Sequence, residues 1–292
     1  MFYIFLTVVI SVLLLIIFKA FKKYEVNSFI AIVVNYIIAA ITGFVFLDSK
    51  TDFSIVFKSD WVFICFPLAF LFIGVFYLIA LTAQKISIST ASVANKMSVI
   101  MPVLYSVLFL DQQLSILKTT GVLLAMLAVY LSTFSATKKQ INSGLFWLPI
   151  AVFFGSGLID IAINAANALY LKTTNESAMF SIFTFLFAFI IGLLTVLYLI
   201  FFKKTTSFKN ILRLKNIIGG VVLGVPNYFS IFFIFKSLES NSLSSAQLFP
   251  VLNLSNVALS ALIAWLIFKE KISVLNFAGI ILAVISILLI SF

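Results

Sequence analysis

The chain reads as an all-α integral membrane protein: ten transmembrane helices laid out as two inverted five-helix repeats. Three observations predict this. Of its 292 residues 63% are apolar and only 10% charged, whereas a soluble domain needs about a quarter of its residues charged to cover its surface. The apolar residues fall in ten continuous runs, each near the roughly 20 residues that a helix needs to cross a hydrocarbon core about 30 Å thick. The last five runs repeat the order of the first five.

The runs lie at 2–18, 28–47, 61–81, 88–110, 116–134, 144–168, 177–202, 216–236, 243–268 and 273–291. A membrane β-barrel would show segments of about ten residues alternating in polarity; these runs are unbroken. Connections are short, so consecutive helices are antiparallel neighbours and no soluble domain is left over. The first run, in "MFYIFLTVVISVLLLIIFKAFKK", has no basic region before it and no small-residue cleavage site after it, which predicts a retained spanning helix. The second carries Asn35 and Tyr36. The third carries Phe70, Phe72, Phe76 and Tyr77, expected to pack or to face lipid, with an aromatic wall for the solute as the alternative.

"SISTASVANKMSVIMPVLYSVLFLDQQLS" (87–115) opens the fourth span and leads into "TTGVLLAMLAVYL". "SLSSAQLFPVLNLSNVALSALIAWLIFKEKIS" (242–273) opens the ninth and leads into "NFAGIILAVISILL". Each begins with a Ser-rich turn, runs apolar, ends in a polar junction and passes into a Gly-containing span. Five spans per unit is an odd number, so the second unit enters the membrane from the opposite side. The units predicted are 1–137 and 138–292, and such inverted repeats place a binding site near mid-membrane at their interface.

Ten short spans, "YLIALTAQKISISTASVA" before the fourth and "FKEKISVLNFAGIILAVISILL" at the end together resemble the drug/metabolite transporter superfamily, specifically its EamA type, over essentially the whole chain. The resemblance implies a secondary carrier of small metabolites, often an exporter of amino acids or related solutes, in a bacterial inner membrane. Where the family tends to place Glu after the fourth span, this chain has Asp111, Gln112 and Gln113; Glu270 fits the pattern after the ninth. The first span lacks the family's common Trp-Gly and Pro signals.

The net charge of +10 comes from short basic clusters between apolar runs, among them Lys19/Lys22/Lys23, Lys138/Lys139 and Lys203/Lys204/Lys209/Arg213/Lys215. That arrangement sets orientation rather than binding nucleic acid. The odd-numbered connections hold 13 of the 19 basic residues, and an excess of Lys/Arg marks the cytoplasmic side. Both termini are therefore expected outside, whereas the resemblance implies both in the cytoplasm. With no His and a single cysteine, Cys65, neither a disulfide within the chain nor a Cys-rich metal site is available. No cofactor and no metal are expected.

Two ionisable residues lie deep in apolar runs. Lys96 is about three residues before the middle of its span, some 4–5 Å from mid-membrane on a 1.5 Å rise. Ser92 and Ser89 are its i−4 and i−7 neighbours. Three readings stand: a lysine snorkelling to the interface from a helix that starts late, a structural ion pair, or a lysine facing a solute cavity. Asp160 sits in "FFGSGLIDIAINAANALYL", where Ser156, Asp160, Asn164 and Asn167 form one stripe. That stripe must face inward. Its asparagines suit interhelical hydrogen bonding. The Asp suits coupling to H+ or contact with solute, a salt bridge to Lys96, or simple packing. If Lys96 and Asp160 do not pair, they can bracket a zwitterion.

Weaker candidates are Asn253, Asn256 and Ser260 on the ninth span, and Asn227, Tyr228 and Ser230 beside Pro226 on the eighth. There, Gly220-x-x-x-Gly224 permits close helix packing. The site residues expected to meet solute are thus Lys96, Asp160, Ser92, Asn164, Asn256, Asn227 and Tyr228, with Asp160 carrying the proton.

A secondary carrier using alternating access is the function expected, with a small-molecule solute and the lipid bilayer as partners. Flipping of a lipid-linked or amphipathic solute is the alternative. A phosphate-binding loop for an ATP-driven pump is absent from the sequence, and two deep ionisable residues without His give an enzyme little to work with. Import versus export, and monomer versus homodimer, are left open.

Overall fold

The structure, a computed structural model, describes residues 2–47, 56, 59–101, 105, 116–135, 143–171, 173–203, 211–239, 245–270 and 273–291. Among the described residues there are ten α-helices and no strands. They are α1 (Phe2–Lys23), α2 (Ser28–Phe46), α3 (Trp61–Lys85), α4 (Ile88–Met97), α5 (Ile116–Ser135), α6 (Trp147–Leu169), α7 (Thr174–Phe201), α8 (Leu214–Glu239), α9 (Ser245–Leu266) and α10 (Val274–Ser291). Five of them, α1, α2, α3, α7 and α8, are long and apolar enough to cross a membrane, and shorter apolar stretches lie in α5, α6, α9 and α10. Large apolar side chains such as Phe63 (81% exposed) and Val45 (74%) point away from the protein. In water that would be costly; against lipid it is the required surface.

Local chemistry fixes several helix ends. The Asn27 side chain accepts from the Phe29 and Ile30 amides and caps α2. Thr173 and Glu176 form a reciprocal capping box at α7. Ser87 caps α4 by accepting from Thr90 N at 2.9 Å. At the far end of α9, Lys269 takes a left-handed conformation (φ 50°) and Glu270 N donates to Ala264 O at 2.9 Å, closing the helix with orphan carbonyls satisfied.

The described spans follow the expected runs except at the fourth. A single helix over 88–110 is expected, but α4 ends at Met97 and a turn follows at Ser98–Val99. Pro102 has no N–H to reach the Ser98 carbonyl four residues back. That carbonyl instead accepts from Met101 N at 2.8 Å. The Ser98 Oγ also lies within hydrogen-bond distance of the Asn95 carbonyl, a local contact that competes with helix continuation. Residues 102–104 and 106–115, including Asp111, Gln112 and Gln113, lie outside the described residues.

The helices pack as two groups. One core joins α1, α2, α3, α7 and α8 around Phe18, Tyr36, Trp61, Leu68 and Phe185, and takes in Ala91 and Ala94 of α4 and Val152 and Ala166 of α6. The other joins α4, α5, α9 and α10 around Val93, Met97, Val257, Ala261 and Ile287. The principal neighbours are α5 with α10, α2 with α8 and α7, α1 with α8, and α3 with α6 and α7; α4 touches α1, α3, α5, α6, α9 and α10.

The α2–α8 crossing is as close as the Gly220-x-x-x-Gly224 spacing predicts. A Cβ on Gly224 would lie 2.7 Å from Asn35 O, a backbone atom that cannot swing aside. Gly74 on α3, by contrast, has nothing within 4 Å of its would-be Cβ. Gly224→Ala is therefore expected to destabilise the fold by about 1–3 kcal/mol and Gly74→Ala to be tolerated. Melting of the two variants in detergent checks the difference.

Candidate functional site

The polar groups expected on α4 do share one buried region. Helix α4 begins at Ile88, the start expected from the sequence, so Lys96 lies two turns inside it. Lys96 occupies the last turn of the helix, where an ammonium is favoured by the negative end of the helix dipole. Ser89 and Ser92 are 2% and 1% exposed. Ser92 Oγ donates to Asn256 O across to α9, at 3.4 Å. Asn256 itself is buried; its Nδ2 donates to Leu252 O at 2.8 Å, while its Oδ1 has no partner. The Ser89 hydroxyl is also unpartnered.

Asp160, on α6, faces the turn that ends α4. Its Oδ2 accepts from Ser98 Oγ at 2.9 Å. Gly157, one turn earlier, makes this approach possible: a Cβ there would run into Met101 and sit 3.3 Å from Ser98 O. Lys96 and Asp160 are within electrostatic reach of each other. They are not in salt-bridge contact, however; among the described residues the ion pairs are Lys19–Glu270 and Lys215–Glu25. Both side chains are half-buried. The buried Ser156 Oγ, one turn below Asp160 on the same stripe, has no partner.

The other expected site residues separate. Asn164 lies on α6 as predicted, but its side chain and that of Asn167 fall outside the described residues. Asn227 Nδ2 donates to Asn35 Oδ1 at 3.1 Å, and Tyr228 stacks among Phe46, Phe229 and Phe232. These partners lie on α2 and along α8 itself, not on α4 or α9. Ser260 bonds to the Val257 carbonyl of its own helix.

Ser98 is the residue that sequence reasoning missed. A serine two residues beyond Lys96 carries no periodic signal, and its contact with Asp160 depends on where α4 and α6 cross. Lys96, Asp160, Ser98, Asn256 Oδ1 and the Ser89 hydroxyl together offer one cation, one anion and several free polar atoms inside a helical bundle. That set can bind and orient a small polar solute. Among the described residues no cluster of His, Cys, Asp and Glu could hold a metal.

Comparison with known proteins agrees with this fold. The profile of the EamA-like transporter family matches residues 143–292. A protein of Haemophilus influenzae, described only as uncharacterized, is 29% identical over 284 residues, which is 94% of this chain and 91% of that protein. A protein of known crystal structure superposes with a TM-score of 0.57 over 97% of both chains at 14% identity, a likeness of fold alone.

Ser98 and Asp160 should be energetically coupled. A double-mutant cycle of Ser98→Ala and Asp160→Asn, read by melting in detergent, is expected to give about 0.5–2 kcal/mol of coupling. Strictly additive losses would mean that the hydroxyl and the carboxyl act independently.

Proposed function

Because this chain belongs to the EamA-like transporter family, we propose that it is a secondary carrier for a small solute bearing both charges, such as an amino acid or a related metabolite. The observation that carries this is the relation between Lys96 and Asp160: opposite charges, close enough to feel each other, on helices that enclose them, and not paired. Two unpaired charges in hydrocarbon are expensive. A zwitterion between them, its carboxylate toward Lys96 and its ammonium toward Asp160, would satisfy both. Ser92 and Asn256 line the α4–α9 crossing beside them, and Asn164 continues the Asp160 stripe along α6.

The two units, 1–137 and 138–292, form an inverted repeat in this reading. The packing supports it, because adding five to one half's helix numbers reproduces contacts. Helix α1 packs on α8 as α6 packs on α3; α2 on α8 as α7 on α3; α1 on α9 as α6 on α4; and α4 on α5 as α9 on α10. The pairs α2–α7, α4–α9 and α5–α10 map onto themselves. Alternating access then consists of the two units rocking about the Lys96–Asp160 region so that it opens to one side at a time. Export is the direction the family resemblance favours, and H+ the coupling ion, carried by Asp160. The Lys/Arg bias supports termini outside a bacterial inner membrane.

Flux into proteoliposomes tests this. With radiolabelled amino acids and an imposed pH gradient, Asp160→Asn should reduce gradient-driven transport by about tenfold or more while sparing counterflow exchange. Lys96→Met should weaken binding of zwitterionic solutes and leave purely cationic ones unaffected. Unchanged gradient-driven flux in Asp160→Asn would remove the coupling role, and unchanged affinity in Lys96→Met would return that lysine to structure. Movement of amphipathic but not soluble solutes would instead assign a flippase. A separate fusion measures orientation: a reporter attached after Phe292 that is active only outside the cytoplasm is the expected result.

A further inference from the structure

The end of the bundle that carries the basic connections holds a contact the transport reading above does not use. Lys19, near the end of α1, places its Nζ 3.0 Å from Glu270 Oε1, just beyond α9. The same oxygen accepts from Ile88 N, the first residue of α4, at 3.4 Å. One carboxylate thus ties together α1, α4 and α9. The two side chains are only 20% and 16% exposed, and the second carboxylate oxygen, Oε2, is buried with no partner. Lys22 and Lys23, the other members of the same basic cluster, are exposed, so Lys19 alone is turned inward. The remaining ion pair at this end, Lys215–Glu25, is 34% and 85% exposed; such surface pairs contribute little.

What lies beneath the tie gives it a use. Ser89, Ser92 and Lys96 follow Ile88 at spacings that keep them on one face of α4, about 12 Å from Ile88 to Lys96 along the axis. Ser89 and Ser92 are buried, and the Ser89 hydroxyl has no partner. A polar stripe therefore runs from the Glu270 carboxylate down to Lys96, sealed at its outer end by an ion pair that joins the first five helices to the last five.

We propose that Lys19, Glu270 and the first turn of α4 form a latch that closes the Lys96 region to the side of the membrane carrying the basic connections. This rests on the transport reading for its purpose, though not for its test. Opening requires Glu270 to leave both α1 and α4. An ion pair suits such a joint, because the lost Coulomb attraction is largely offset when both ions regain water. The unpartnered Oε2 gains a hydrogen bond on opening, which shifts the balance further toward release. A hydrophobic plug at the same place would lose burial and gain nothing.

The experiment reads accessibility. In the full-length chain with Cys65→Ala, a cysteine introduced by Ser89→Cys is exposed to a membrane-impermeant thiol reagent in vesicles open to both sides. With the latch intact, labelling should be slow. Glu270→Gln and Lys19→Met should each speed it by about tenfold, and the charge-swapped pair Lys19→Glu/Glu270→Lys should slow it part of the way back, because the swap restores the ion pair but leaves Ile88 N without its acceptor. A second reporter, Ala188→Cys on α7, is fully buried and must stay protected throughout. Unchanged labelling at position 89 in Glu270→Gln and Lys19→Met would overturn the latch. So would equal acceleration at position 188, which marks general loosening, or a charge swap that labels no more slowly than the single variants. No solute enters this measurement, so a chain that moves nothing in flux assays but shows latch-dependent protection would keep the latch and lose the carrier reading.

Discussion

The cost of holding an ammonium and a carboxylate in hydrocarbon organises this molecule. Neither Lys96 nor Asp160 can face lipid without a loss of several kcal/mol, so α4 and α6 must turn those faces inward and be covered. Helix α4 is accordingly the most surrounded element, touching six others. It achieves this by being small where it is crowded: Ala91 and Ala94 are fully buried on it, and Gly157 gives way on the α6 side. At the end of α4 the Ser98 hydroxyl meets the Asp160 carboxyl of α6.

Buried polar groups elsewhere are used differently. Asn35 meets Asn227, Gln84 donates to Phe18 O and Ser28 Oγ at 2.7 and 2.8 Å, and Ser286 donates to Gly121 O at 2.7 Å. These are short bonds between helices, the sort that fasten a bundle in lipid. Around Lys96 the pattern reverses: Ser89, Ser156 and Asn256 Oδ1 keep unpartnered atoms. Asn35 Nδ2, Tyr36 OH and Trp61 Nε1 are unpartnered too, the last two among aromatic rings. Free polar atoms coincide with two charges that do not pair in the α4–α6–α9 region, and the proposed solute site rests on that coincidence.

Much of this was legible from residues alone, because a membrane limits the choices. Hydrocarbon thickness sets helix length and forbids unpaired backbone, so apolar runs translate directly into helices. Periodicity then put Ser92 beside Lys96, and Ser156 beside Asp160. What could not be read is whatever depends on how helices meet. Ser98 meets Asp160 only because α4 and α6 cross there, which no spacing along either helix reveals. The Lys19–Glu270 contact joins residues near opposite ends of the chain, and nothing in either neighbourhood announces it; Lys19 reads as one more orienting lysine. Asn227 and Tyr228 looked equivalent to Asn256 in composition, yet their neighbours on α2 and α8 make them part of the Gly220/Gly224 crossing.

A carrier needs some contacts that persist and others that exchange, and the two kinds are distinguishable by their physics. The α2–α8 crossing packs backbone on backbone through Gly220 and Gly224, and α5–α10 joins Ala128 to Ala283 with Ser286 bonded to the Gly121 carbonyl. Tight packing of this kind does not deform by degrees; moving it would forfeit many dispersion contacts at once. The α4–α9 crossing is held instead by a long Ser92–Asn256 bond of 3.4 Å, and the end above it by an ion pair whose partners are each partly wet. Such contacts change little in free energy when water replaces them. Two states separated by only a few kcal/mol require that the moving surfaces be of the second kind and the rigid ones of the first. That division follows the boundary between the helices around Lys96 and those that flank them.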